Sequence, residues 1–411
     1  MSDMTENAAE SKGEARGVVL LAILFLGYAI YAADRTVLTS ILSTVQTALR
    51  LDSSQLGLLT SAVYIGVLAT VFIAGHLSDR YGTRRIILVG VTIFTAFTWL
   101  IGFSTSFYMA FTFRLISGFG EGLFWPVAMS AVAKYFGVSK GRALGVFYVG
   151  FDVGSAIGSS VGGTTLSLTS DWRYAFFIAP LLGIAVVAGT FLAKGTFARA
   201  DGRMGSIALG RDALDLLKRR QVKLMMLFAM LATWASIWQV TYLSYYFHSV
   251  KGLSASLAAF IMSPVAISGG FGKVLLGNAS DKWRRNRMLV AISLVVILLY
   301  ALFFSSSNLY VATAVVLAIG FASSAIFPIM QALMCDSCDG RIGSALGLTT
   351  TAQSVATVVA PNTTAALITA LGVGEAVAVN TVVPAVLALG VALFLRDFRS
   401  AEKEGGSQSQ T

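Results

Sequence analysis

Five ionisable residues sit inside long apolar stretches of this sequence: Asp34, Arg35, Arg114, Glu121 and Asp152. A charged side chain at the centre of an apolar helix costs roughly 2.5–3.5 kcal/mol in a bilayer, so each needs a compensating role. Arginine keeps its charge and presents a planar fork that matches a carboxylate. A buried acid can hold its proton near neutrality. Together they make an anion clamp beside a proton carrier. Arg114 and Glu121 lie seven residues apart, two turns along one helix face. Tyr28, Tyr31 and Arg35 share a face of an earlier helix by the same arithmetic. The competing reading is a closed set of ion pairs that only ties helices together. Asp152 either titrates as a third acid or neutralises an arginine.

The elements that must position these groups follow from composition. The chain has 411 residues, 56% hydrophobic and 12% charged, against about 45–50% and 25% for soluble domains. A hydrocarbon core about 30 Å thick takes roughly 20 residues per helix. Apolar runs of that length fall at 18–46, 54–77, 85–104, 107–136, 142–168 and 173–193, then at 224–249, 255–279, 288–305, 309–334, 343–369 and 376–395. They show no alternation, so strands are excluded. The expected fold is an all-α polytopic membrane protein of 12 transmembrane helices in two pseudo-symmetric six-helix bundles. The bundles are expected at 18–193 and 224–395, with a central cytoplasmic loop at 194–223 and cytoplasmic tails at 1–17 and 396–411. The lipid bilayer is the expected surround.

The net charge of +10 raises nucleic acid as a partner, and the placement of the charges excludes it. On these spans, 24 of the 30 Lys and Arg fall on one side. Arg50, Arg173 and Lys251 fall on the other, and Arg35, Arg114 and Lys273 lie within the spans. The positive-inside rule makes the crowded side cytoplasmic and puts both termini there. The acidic start, 1–14, has no basic n-region or cleavage site and does not read as a signal peptide. Cys335 and Cys338 form a C-x-x-C pair with no second pair and no nearby histidine, so no metal site is expected. Lys273 is read as snorkelling to the interface, and His248 as a loop or gate residue at the outer face.

The two halves repeat at an offset of 202 residues. Gly75 to Asp79 (GHLSD) aligns with Gly277 to Asp281 (GNASD), and Phe124-Trp125-Pro126 with Ile326-Phe327-Pro328. Ala143-Leu144-Gly145 aligns with Ala345-Leu346-Gly347. A duplicated six-helix unit is a transporter plan, with the substrate site expected between the halves near the midplane. The equivalents of the five buried charges are Ser236, Ile237, Val316, Ser323 and Ser354. The second copy folds without these charges, which favours function over scaffolding for the first.

At Gly75 to Arg85, GHLSDRYGTRR resembles the loop motif between the second and third helices of the major facilitator superfamily. Gly75, Asp79, Arg80, Gly82, Arg84 and Arg85 carry it, and Asp281 marks the degenerate second copy, in which Arg284 replaces the second glycine. These residues are expected in an inside-facing gate. RLISGFGEG at Arg114 to Gly122 resembles the fourth-helix motif of the same superfamily. Gly150, Gly154, Gly158 and Gly162 read as a close-packing stripe, although GSSVGG at Gly158 to Gly163 approaches an exporter motif with Ser159 in place of proline.

Ala33-Asp34-Arg35, with Arg114 to Pro126, is similar to the anion:cation symporter family, which includes galactonate, hexuronate and sialic acid transporters. That resemblance implies Arg35 and Arg114 on substrate and Asp34 and Glu121 on protons; Asp152, read from its own position, is the further proton-coupling candidate. Tyr28, Tyr31, Gln239, Tyr242, Gln353 and Asn362 complete the expected substrate-binding set. Trp234, Trp238, Tyr242 and Tyr245 line the seventh helix where a sugar acid would want amides, so a small or aromatic monocarboxylate fits as well. The expected function is proton-coupled uptake of a small organic anion by a monomer in a bacterial inner membrane, with the proton as coupling ion and no cofactor. Proton-driven efflux of drugs or metabolites is the alternative. An enzyme is not expected, because the loops are too short for a catalytic domain and carry no nucleotide motif. In the expected coupling step, deprotonated Glu121 competes with substrate for Arg114.

Overall fold

The structure is a computed structural model that describes residues 2–136, 140–197, 211–337 and 342–396. The first half holds helices α1 (Ser2–Ser40), α2 (Leu42–Leu49), α3 (Ser53–Tyr81), α4 (Thr83–Ile101), α5 (Phe107–Phe136), α6 (Lys140–Thr169), α7 (Arg173–Ile178) and α8 (Leu181–Leu192). The second holds α9 (Arg211–Lys218), α10 (Arg220–Thr241), α11 (Leu243–Ser249), α12 (Ala255–Lys282), α13 (Arg285–Ser305), α14 (Leu309–Ser324), α15 (Ile326–Asp336), α16 (Ile342–Leu371) and α17 (Val373–Ala392). Among the described residues, twelve segments are long and apolar enough to cross a membrane, the number expected from hydropathy. The repeat is visible in the helix starts: Ser53, Thr83, Phe107 and Lys140 recur 202 residues later as Ala255, Arg285, Leu309 and Ile342.

Four spans that hydropathy reads as continuous are broken. The first span breaks at Ile41, where Thr36, Thr39 and Ser40 hydrogen-bond back to the carbonyls of Ala32, Arg35 and Val37. Such back-bonding bends helices. The seventh span breaks at Tyr242, within one residue of the repeat-related position. The sixth breaks at Ala179-Pro180, where proline has no N–H to give. The tenth breaks at Ala325, three residues before Pro328.

The chain divides into two compact units, Met1–Leu49 with Ala62–Ser206, and Arg50–Ser61 with Ile207–Thr411, so α3 contributes to both. In the first unit α1 packs along α6, and α4 along α5. Leu20, Leu24, Phe94, Phe124, Phe147 and Val186 form its apolar core. The glycine stripe of α6 makes the α1–α6 contact: a Cβ on Gly154 would stand 1.9 Å from the carbonyl oxygen of Ala29. The exporter-like run therefore serves packing, because Gly158 lies equally tight against Ala33 and Thr36. In the second unit α10 packs on α16 and α17, and α12 on α14. Trp238, Tyr246, Tyr300, Phe303 and Phe304 make an aromatic cluster there, which absorbs part of the aromatic wall expected of the seventh span.

Candidate functional site

Asp34 and Arg35 of α1 meet Arg114 and Glu121 of α5 inside the first unit as two ion pairs. Arg114 reaches Asp34 at 3.0 Å, and Arg35 reaches Glu121 at 2.7 Å. Exposure is 1–2% for Arg114 and Asp34, 9% for Arg35 and 0% for Glu121, so each charge depends on its partner for compensation. The pairing differs from the expected one. Arg114 and Glu121 share a face of α5, but each reaches across to α1 at its own level, and Glu121 is held by Arg35 and not by Arg114.

The pairs are not equivalent. Asp34 is saturated: Thr98 and Arg114 donate to Oδ1, and Ser117 donates to Oδ2 at 2.8 Å. Arg114 also donates to the backbone carbonyls of Asp34, at 2.9 Å, and Arg35, at 3.3 Å. Its fork thus grips the backbone that carries both site residues of α1. Glu121 is less constrained. Its Oε2 accepts from Nε of Arg35 at 2.7 Å and lies 2.7 Å from a terminal nitrogen of the same fork, whereas Oε1 is buried with no hydrogen-bond donor, and the carboxyl group interacts with that of Asp34. The Arg35 guanidinium lies 4.3 Å from the ring centre of Tyr31 and 4.7 Å from that of Tyr64, within cation–π range.

Tyr31 thus stands at the site. Tyr28 stacks on Phe147 at 4.5 Å and belongs to an aromatic core with Tyr148 and Phe151. Asp152 is buried on α6 within electrostatic reach of Tyr28. The small cleft beside Asp34, lined by Ile30, Phe94, Thr95, Thr98, Ala179 and Pro180, is too narrow for a solute. Thr98 and Ser117 are site residues that the sequence reading did not select. The repeat held a signal for Ser117, whose counterpart is Ile319.

The remaining expected substrate residues lie in the second unit. Gln239 donates to the hydroxyls of Tyr300 (3.4 Å) and Ser323 (3.2 Å). Tyr242 donates to the carbonyl of Pro361 at 3.0 Å, and Asn362 donates to Ser61 and to the carbonyl of Val358, both at 2.8 Å. Gln353 is buried on α16. Asn380, absent from the expected set, joins three helices: it accepts from Trp234 and Thr363 and donates to Thr364 and Ala360.

In the loop motif, Gly82 takes φ 90°, a conformation that glycine alone adopts freely. Asp79, Arg80 and Arg85 are exposed. Arg84 turns inward and donates to the carbonyls of Thr190 (2.8 Å) and Phe191 at the C-terminus of α8. Its repeat partner Asn286 donates to the carbonyl of Leu395, just beyond α17, at 3.2 Å. The side chain of Asp281, together with Cys338 and residues 198–210 of the expected central loop, lies outside what is described.

A family model of the Major Facilitator Superfamily matches residues 24–361. A sphingosine-1-phosphate transporter of Xenopus tropicalis is 24% identical over 288 residues, 66% of this chain and 56% of that protein. The hexuronate transporter of Bacillus subtilis is 26% identical over 166 residues, 40% of this chain and 39% of that protein. The chain spans about a third of the length of the curated relatives it matches first. Among solved structures, a bacterial homolog of the human lysosomal transporter spinster, inward-facing and unoccupied, superposes with a TM-score of 0.74. The two are 20% identical over 92% of this chain and 95% of that one, a likeness of fold.

Proposed function

Because this chain belongs to the Major Facilitator Superfamily, we propose that it is a secondary transporter taking up a small organic anion with a proton by alternating access. The observation that carries the reading is the inequality of the two buried ion pairs. In the Asp34–Arg114 pair both carboxylate oxygens have protein donors and only the Nε of Arg114 lacks a partner, whereas in the Arg35–Glu121 pair it is the acid that has an unpartnered oxygen. A proton on Glu121 loosens its hold on Arg35, whose fork then takes the substrate carboxylate. Loss of the proton lets Glu121 reclaim Arg35 and expel the anion. Proton and anion thereby bind with positive coupling, which is reciprocal at equilibrium. This moves the competition expected at Arg114 to Arg35. Arg114 keeps a part in binding through its grip on the Arg35 backbone. Two relatives are named for solutes that carry an anionic group, a hexuronate and a phosphate ester, and this supports an anionic cargo.

In this reading Asp34 is a second proton site and Asp152 a third candidate. Tyr31, Tyr28, Gln239, Tyr242, Gln353 and Asn362 are the further substrate-binding candidates of this reading. The loop motif from Gly75 to Arg85, with Asp281, serves the inside-facing gate. The protein works as a monomer in a bacterial inner membrane with both termini cytoplasmic, its bundles at 18–193 and 224–395. The test is uptake into proteoliposomes of a radiolabelled panel of hexuronates, aromatic acids and short monocarboxylates, with and without an inward proton gradient. Accumulation of at least one acid, driven by the gradient and abolished in Arg35→Ala, is expected. Gradient-driven loss of an organic cation from the vesicles, with no acid taken up, would support efflux and refute the proposal.

A further inference from the structure

Asp34 is held by two hydroxyls as well as by a cation. Thr98 of α4 donates to Oδ1, Ser117 of α5 donates to Oδ2 at 2.8 Å, and the two hydroxyls stand 3.3 Å apart. Thr98 is 1% exposed and Ser117 fully buried. At the repeat-related positions of the second copy Asp34, Thr98, Arg114 and Ser117 become Ser236, Tyr300, Val316 and Ile319. There Tyr300 donates its hydroxyl to the carbonyl of Ala235 at 3.0 Å, and Ser236 bonds back to Ala232 of its own helix. Val316 and Ile319 are buried apolar residues. Neutral hydrogen bonds through Tyr300, to Ala235 and from Gln239, thus join α10 to α13, where the first copy uses four polar side chains. Where the acid is missing, the Ser117 position is apolar and the hydroxyl at the Thr98 position bonds a backbone carbonyl instead, so in the first copy both hydroxyls are turned to the acid.

A hydroxyl that donates to a carboxylate favours the ionised form. With both hydroxyls in place, each Asp34 oxygen has a donor and the carboxylate lies against Arg114. When the acid takes a proton, Thr98 and Ser117 can turn to each other across 3.3 Å, so neither is stranded. The charged and titratable groups around Asp34 come from three helices: Arg35 and Tyr31 on its own helix, Arg114 and Glu121 on α5, and Tyr64 on α3, beyond Arg35. On the α4 and α7 side the cleft is lined by Thr95, Thr98, Phe94, Ala179 and Pro180, none of them titratable.

We infer that Thr98 and Ser117 are positioning residues that hold the Asp34 carboxylate on Arg114 and thereby set the pH at which Asp34 exchanges its proton. The inference rests on the reading that Asp34 is a proton site. It is tested without any solute, by pH-difference infrared spectroscopy of the full chain in phosphatidylethanolamine–phosphatidylglycerol liposomes. The carboxylic-acid C=O band of Asp34 is identified as the one lost in Asp34→Asn. In Thr98→Val, and separately in Ser117→Ala, the pH of half-height of that band is expected to rise by about one unit, from the worth of one hydrogen bond to a charged group. Thr98→Ser, which keeps the hydroxyl, is expected to titrate as wild type does. A band that persists at the wild-type half-height in both Thr98→Val and Ser117→Ala overturns the inference and leaves Asp34 a proton site. A spectrum unchanged by Asp34→Asn across the pH range overturns the reading of Asp34 itself. Thermal unfolding of each variant confirms that the spectra are those of folded protein.

Discussion

Replacing Gly154 by alanine should loosen the helix pair that carries the site. The added Cβ would lie 1.9 Å from the carbonyl oxygen of Ala29 and 2.5 Å from its carbon, where ordinary contact begins at 3.4 Å. One of the two backbones must therefore withdraw by about 1.5 Å, because a close-packed interior has no slack to absorb the overlap. If α1 moves, the 2.7 Å bond from Arg35 to Glu121, set on a helix that stays, is strained along with the Asp34 cradle. If α6 moves, the contacts of Gly150 and Gly158 with α1 open instead. Overpacking of this kind costs typically about 1–3 kcal/mol, offset by up to about 1 kcal/mol from alanine's better helix propensity. Gly145, with nothing within 4 Å of its Cβ position, supplies the control in the same helix. Gly145→Ala is expected to be neutral or more stable than wild type, and Gly154→Ala less stable by about 1–2 kcal/mol. Reversible unfolding of purified protein in mixed micelles by sodium dodecyl sulfate measures both. A Gly154→Ala protein as stable as Gly145→Ala would show that α1 and α6 do not meet as described.

Arg114→Ala leaves Asp34 buried without its cation, and removal of one partner of such a pair costs about 3–5 kcal/mol. Asp34→Asn in the same chain should restore part of that stability in the micelle assay, and a double variant no better than Arg114→Ala would deny the pair. Arg84→Ala removes both bonds to the last carbonyls of α8 and should lower stability by about 1 kcal/mol. Arg84→Asn, the residue at the repeat-related position, should recover some of it. In intact cells, an impermeant maleimide should label a cysteine introduced at Ala255 or Asp171 but not one at Gly205, and labelling at Gly205 would reverse the orientation.

The spans were legible because hydropathy reports burial in lipid, and lipid does not distinguish a straight helix from a broken one. The breaks at Ile41, Tyr242 and Ala325 were therefore hidden inside continuous apolar runs, although Pro180 marked the fourth in plain sight. The ionisable residues were legible for the same reason, as costs that demand an explanation. Their partners were not. Helix periodicity places Arg114 and Glu121 on one face, but which residue each meets depends on where α1 crosses α5, a tertiary fact set by the glycine contacts. Thr98 and Ser117 passed unnoticed because hydroxyls are common in membrane helices and usually bond their own backbone, as Thr36 and Ser159 do here. The contact of Arg84 with α8 was hidden within its motif, because a cation in a loop reads alike whether it faces water or caps a neighbouring helix.

The asymmetry of the repeat bears on how strictly the proposed carrier couples its two cargoes. With Glu121 ionised and no anion bound, Arg35 is neutralised by Glu121. With Glu121 protonated and an anion bound, Arg35 is neutralised by the substrate. Both states leave the site without net charge. A proton alone, or an anion alone, leaves one unbalanced charge in an apolar setting, at roughly 2.5–3.5 kcal/mol. That disfavours the half-loaded forms by about 60- to 300-fold, since every 1.4 kcal/mol is tenfold, and no further device is needed to suppress slippage. Glu121→Gln makes this testable, because it removes the charge and keeps the shape. The loaded variant has Arg35 balanced by the anion and should exchange substrate across the membrane as wild type does. The empty variant has Arg35 unbalanced and should return slowly, so net uptake falls by a similar factor and no longer responds to a proton gradient. Counterflow and gradient-driven uptake measured in the same vesicles separate the two steps. A Glu121→Gln protein that still concentrates its acid on a pH gradient would remove Glu121 from the coupling and leave the charge balance of Arg35 to some other group.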